Sequence, residues 1–188
     1  QVPPHALSVH LHGGTVLPGL TSYGSTLGLS DVPSESSASN GQDPSLLTRH
    51  LYLDTKRLVP RAEDGLIFGG HALRRAHASG VTTAVNVPAT IGMFGGVSTH
   101  FDTGARTVLD AHSVRTSEVA LHVRLAYPID DHEPSLATQL ALLRSLLRNP
   151  PPGSVEWHRV SRGEWPLVVK TNAQDTVAKL CLLYTSPS

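Results

Sequence analysis

The sequence is rich in histidine, with eleven in 188 residues. His10-Leu11-His12 has the spacing that sets two imidazoles on one side of a strand, where they could grip a single divalent ion. Its ordinary reading is a pair of surface histidines on a half-exposed strand. His71 and His77 are six apart, a spacing that shares no helix face. His122 lies within an apolar strand and points either into a site or into the core, the core being the ordinary place for it. His100, His112, His132 and His158 fall in loops or at element ends, and no ligand set can be assembled from them. Gly92-Met93-Phe94-Gly95-Gly96 follows a strand as a phosphate loop would. It lacks the Gly-Lys-Ser/Thr ending and the three-glycine fingerprint, which argues against nucleotide binding. Read as a flexible loop, it sets Ser98, Thr99 and Asp102 where they could hydrogen-bond a sugar or an amide. Asp130-Asp131-His132-Glu133 reads as a solvated loop, with Glu133 favoured by the dipole of the helix that follows.

The elements that would position these groups follow from periodicity. Residues 9–20 alternate apolar and small side chains up to the turn signal Pro18-Gly19, which predicts a strand, a bend and a second strand from Leu20. Residues 30–44, rich in Ser, Pro, Asn, Asp and Gly, form a polar loop. Apolar residues at helical spacing predict a helix over 64–79, weakened at Gly69-Gly70 and stopped by Gly80. The β-branched run 81–87 and the segments 118–125 and 166–170 read as strands. An amphipathic helix is expected over 134–148, ended by Asn149-Pro150-Pro151-Pro152-Gly153, and another begins over 174–180. Strands alternating with helices predict a parallel α/β architecture, either a doubly wound sheet or a barrel.

Composition narrows the partners. Fifteen basic residues balance fifteen acidic ones, which does not suit a basic nucleic-acid binder. No apolar run approaches the ~20 residues that span a bilayer. Residues 1–5 lack the basic start and apolar stretch of a signal peptide. The single cysteine, Cys181, excludes an internal disulfide and a cysteine-based zinc site. Residues 181–188, Cys-Leu-Leu-Tyr-Thr-Ser-Pro-Ser, match the translation of a transposon-end sequencing adapter, so no function is expected of that tail.

Three segments in order resemble the amidohydrolase superfamily. Gly13-Gly14-Thr15-Val16-Leu17-Pro18-Gly19-Leu20 is similar to its entry into the first barrel strand, and Gly80-Val81-Thr82-Thr83-Ala84 to its helix-to-strand passage. Pro166-Leu167-Val168-Val169-Lys170, with Ala173-Gln174-Asp175-Thr176-Val177, resembles a later strand and helix start of the imidazolonepropionase-like branch. Gly95-Gly96-Val97-Ser98-Thr99 and Asp102-Thr103-Gly104-Ala105 are similar to fungal proteins labelled carbohydrate esterase family 9.

The resemblance implies an α/β fold: a partial (β/α)8 TIM-type barrel preceded by the end of a small β-sandwich. Residues 1–17 would end the sandwich, 18–180 would be the first half of the barrel, and 181–188 the adapter. It places Ser98, Thr99 and Asp102 near the barrel mouth, and His10 and His12 in the sandwich. Catalytic relatives end the first strand in Asp-x-His-x-His, whose imidazoles hold a zinc that acidifies water. Here Ser22, Gly24 and Thr26 stand at those positions, so the expected zinc lacks its first-strand ligands, and restoring His at 24 and 26 should raise zinc affinity. Lys170 matches the later-strand ligand position, where a carboxylated lysine bridges metals in some members; alone it reads as an ordinary amine at a strand end. The implied function is hydrolysis of C–N bonds in an amide or N-acetyl small-molecule substrate. The alternative is a non-catalytic homologue serving as a binding or scaffold domain.

Overall fold

The computed structural model describes residues 3, 5–32, 35, 39, 40, 59–90, 92–128 and 134–185. The acidic segment 130–133 and most of the loop 30–44 lie outside the described residues. The strands are β1 (Leu20–Tyr23), β2 (Val81–Asn86), β3 (Phe94–Val97), β4 (Thr99–Asp102), β5 (Val114–Thr116), β6 (Leu121–Arg124) and β7 (Leu167–Lys170). The helices are α1 (His71–Ala78), α2 (Leu136–Arg148), α3 (Val155–Ser161) and α4 (Gln174–Thr185), with a short 3-10 turn at Ala62–Gly65. No helix among the described residues is long and apolar enough to cross a membrane.

These strands form two sheets, in the orders β1-β2-β4-β5 and β3-β6-β7. β1 and β2 run parallel, as do β6 and β7, while β4 is antiparallel to β2 and β3 is antiparallel to β6. Only Ser98 separates β3 from β4, so one stretch of chain belongs to both sheets. Where the sequence suggested a loop, Gly95-Gly96 instead forms an irregularity in the β3–β6 pairing. Gly96 has φ +87°, and a Cβ there would lie 2.2 Å from the Pro60 carbonyl oxygen. That carbonyl accepts the Val97 N–H at 2.8 Å, which docks the segment before the 3-10 turn onto β3. A glycine run thus reads as a loop but works as a close backbone approach.

Helices cover one face of each sheet. Leu73 of α1 packs with Ala84 of β2 and Phe101 of β4. Leu121 and Val123 of β6 pack with Leu140 and Leu143 of α2 and with Trp157 of α3. Ser135 caps α2, its hydroxyl accepting the Thr138 N–H at 3.3 Å. Gly80 ends the α1 turn at φ +91°, a conformation cheap only for glycine.

Two expectations are corrected, and a third element runs longer than expected. Residues 5–19 form no strand, because no second strand pairs with them; Val9, Val16 and Leu17 are exposed, so alternation alone had nothing to pack on. The helix expected over 64–79 is cut to α1, because the chain takes φ +74° at Gly69 and residues 66–70 run as a linker. The last helix continues past 180, through Thr185.

The N-cap of α1 is Gly70, which has no side chain to cap it. Asp31, some forty residues upstream, accepts the His71 and Ala72 N–H groups instead. These two bonds, Ala72 first, hold its carboxyl below the ordinary 3.8. Such a group stabilises the fold above its unfolded pKa and ceases to as pH falls through the folded one. Asp31→Ala should therefore lower the thermal midpoint at neutral pH, with the gap to wild type closing as pH falls below 3.8. Gly96→Ala should cost ~2 kcal/mol or more in denaturant titration, from backbone strain plus the clash with Pro60.

Candidate functional site

Strand alternation sorts the polar residues onto two sides. Ser22 pairs in register with Ala84, and Tyr23 with Val85. Since Ala84 packs against α1, Ser22 faces the helices and Tyr23 faces away from them. By the same alternation His100 and Asp102 of β4, His122 and Arg124 of β6, and Val168 and Lys170 of β7 lie on the helix-free faces. The two helix-free faces meet where the Tyr23 ring stacks on the His122 ring, centroids 6.2 Å apart.

His122 is the chemically distinctive residue of this surface. It is 9% exposed, and its Nε2 is buried without a hydrogen-bond partner. Burial pushes its pKa down to about 4, so the ring is neutral near pH 7. A neutral imidazole with one free nitrogen can take a proton, accept or donate a hydrogen bond, or ligate a metal. His100 also has a buried Nε2 without a partner, and burial followed by the nearby Arg115 lowers its pKa. Burial works to raise the Asp102 carboxyl, but hydrogen bonds from Arg115, at 2.9 Å, and from the Gly104 N–H outweigh it. Arg124 and Lys170 are register partners on adjacent parallel strands, and Lys170 is exposed.

The positions carried over from the resemblance are not brought together. Ser22 Oγ donates to Ser25 Oγ at 2.9 Å, and Ser25 Oγ donates to Asn86 Oδ1 at 3.2 Å. β1 ends at Tyr23, and Gly24 turns out of it at φ +69°. Positions 24 and 26 therefore do not alternate along one strand, so two histidines restored there would not share a face as the sequence suggested. A hydroxyl already committed, a glycine and a second hydroxyl do not fit zinc. Among the described residues Lys170 forms no ion pair with a carboxylate, and no three His, Cys, Asp or Glu side chains are grouped to hold a metal. His10 and His12 stack on each other in the exposed segment before β1, with centroids 4.4 Å apart.

Ser98 and Thr99 are fully buried in the shared strand rather than in a mouth loop. Their hydroxyls donate to the Ala120 and Ser117 carbonyls at 3.4 and 2.9 Å. The pairing of Arg115 with Asp102 needed the β4–β5 ladder, which no sequence pattern signalled. His122 was visible as a histidine in an apolar strand, but its unpartnered nitrogen and its stack on Tyr23 were not.

No family model matches the chain. Over 123 residues it is 37% identical to the amidohydrolase tasK of Hapsidospora irregularis, a stretch that is 62% of this chain and 10% of that protein. Its fold is similar to the crystal structure of an amidohydrolase from Thermotoga maritima MSB8, with TM-score 0.75 and 17% identity, over 97% of this chain and 52% of that one. The chain thus spans a tenth of the length of the curated relative and about half of the solved structure. In sequence over the shared stretch, and in fold throughout, it is similar to amidohydrolases.

Replacing a buried unpaired polar group by an apolar one of similar volume removes its desolvation cost. His122→Leu should therefore raise the thermal midpoint at pH 7 by about 2–4 °C. In wild type the unfolded chain binds this proton first, so stability falls as pH drops from 6.5 toward about 4. Scanning calorimetry should show a shallower loss over that window in His122→Leu.

Proposed function

We propose that this chain is part of an amidohydrolase-related hydrolase that acts on C–N bonds, amide or N-acetyl, in a small-molecule substrate. The observation that carries the reading is the 37% identity to one amidohydrolase, joined to a fold similar to another. The parallel pairs β1–β2 and β6–β7, each with helices on one side, support residues 18–180 as the first half of a TIM-type barrel, with residues 1–17 ending a sandwich. In this reading the chain is related to the imidazolonepropionase-like branch and to the carbohydrate esterase family 9 proteins.

In this reading the chemistry lies on the helix-free face. Hydrolysis adds water to the carbonyl carbon, breaks the C–N bond and returns a proton to the leaving amine. His122, neutral and lacking a partner on Nε2, is placed to take the proton from that water, and Tyr23 holds the ring by stacking. Zinc is the metal that the family resemblance implies, but the first-strand positions here do not fit it. Ser98, Thr99 and Asp102 then act as supports of the shared strand rather than as substrate ligands.

The second reading is a non-catalytic homologue that binds without turnover. It is favoured by the hydroxyl, glycine and hydroxyl at positions 22, 24 and 26. The test is hydrolysis of a panel of amides and N-acetyl sugars by the gene product that contains this chain, with its metal content measured by mass spectrometry. Turnover that falls about 100-fold or more in His122→Leu is the expected result. A folded protein with no turnover on any member of the panel would overturn the hydrolase reading in favour of the binding one.

A further inference from the structure

β7 ends its sheet, and among the described residues no strand lies on its outer side. The bonds it makes to β6 show which backbone groups are left over. Leu121 donates its N–H to the Pro166 carbonyl at 3.1 Å, and Leu125 donates to the Lys170 carbonyl at 2.9 Å. In a parallel ladder the N–H and C=O of one residue point to one neighbour, and those of the next residue point to the other side. Pro166, Val168 and Lys170 therefore turn toward β6, while Leu167 and Val169 turn their N–H and C=O groups outward. Little in the strand blunts this edge. The β6–β7 register runs without a bulge, no proline lies within Leu167–Lys170, and its one charge stands at the end.

We propose that this edge pairs with the same edge of a second copy of the chain, β7 on β7, antiparallel and centred on Val168. The outward groups are self-complementary in that register. Leu167 of one copy faces Val169 of the other, and such a pair exchanges both of its N–H···O=C bonds. A two-fold axis through Val168 repeats the pair with the copies reversed, the symmetry of most dimers. Sliding the strands by two residues aligns Leu167 or Val169 with itself and leaves one outward pair within the strands instead of two. The side chains agree with the central register. Val168 meets Val168 of the second copy, an apolar pair where antiparallel strands approach most closely. Lys170 falls opposite Pro166 rather than opposite another lysine, so no like charges meet. The contact is short, so the dimer is weak and concentration-dependent. It stands on backbone pairing and is independent of the hydrolase reading.

The test is sedimentation equilibrium of the 188-residue chain at up to about 1 mM, in wild type, Val168→Lys, Val168→Glu and an equal mixture of the two variants. Wild type should move from the mass of one chain toward that of two. Each variant alone sets like charges opposite each other and should weaken the dimer about 10-fold or more. The mixture pairs lysine with glutamate and should recover it. Val168 is half-buried and outside the apolar core, so both variants should fold, which circular dichroism will verify. Hydrogen exchange gives a second readout: the Leu167 and Val169 amides should gain protection as concentration rises. A chain that stays monomeric at the highest concentration, a dimer that neither variant weakens, or a mixture no better than its components would overturn the proposal. Protection of the Leu167 and Val169 amides in the dilute monomer would overturn it too, because a segment of the same chain would then cover the edge.

Discussion

The structure depends on one stretch of backbone shared by two sheets. Residues 94–102 pair with β6 on one side of Ser98 and with β2 on the other. The chain crosses from one sheet to the other there, so any misfit at that point separates the helix-covered cores. Two features make the crossing possible. Gly96 lets the Pro60 carbonyl approach to a distance no side chain would permit, and the buried hydroxyls of Ser98 and Thr99 satisfy carbonyls of the segment 117–120. The ion cluster around Glu118, which accepts from both Arg61 and Arg159, ties the same region to α3. Arg159 in turn lies over the Trp165 ring at 3.9 Å, so its charge is held without being fully desolvated.

Those requirements explain which parts of the fold were legible in the sequence. The run 81–86, the helix after Pro134 and the strand ending at Lys170 were readable because each has a strong local pattern and packs on one face. The segment 94–102 was not readable, because glycine reports only that backbone freedom is needed, not whether a loop or a close strand contact uses it. Asp31 capping α1 was equally hidden, since forty residues separate donor and acceptor and the helix's own cap position is glycine. Residues 9–17 show the opposite error: their alternation was real, but a strand requires a partner, and none lies beside them among the described residues.

The candidate site was legible only as a set of residue types. Lys170 was singled out by its place at a strand end, and His122 by its polar side chain in an apolar strand. What joins them is the register of β6 on β7 and the contact of Tyr23 across the sheets, neither of which a linear pattern contains. The first-strand positions illustrate the same point from the other side. Alignment to a family motif assumes that the strand continues, whereas Gly24 ends it, and the neighbouring serines are absorbed in the turn that Asn86 anchors. Asn86 is fully buried and its amide donates to the Leu27 carbonyl, so this turn is a structural knot rather than an open mouth.

This contrast separates the two ends of the argument about chemistry. At the β1 end a chain of polar groups is satisfied inside the protein: Ser22 bonds to Ser25, Ser25 to Asn86, and Asn86 to Leu27. A group satisfied in this way has little to gain from a ligand. On the helix-free face, His100 and His122 each keep a buried nitrogen that nothing in the described fold satisfies. Leaving such a group unpaired costs about 1–3 kcal/mol, so either nitrogen gains by meeting water or a ligand. The same face also carries Asp102, held by Arg115 and the Gly104 N–H, so what is open to chemistry there is the pair of orphan imidazole nitrogens rather than the face as a whole.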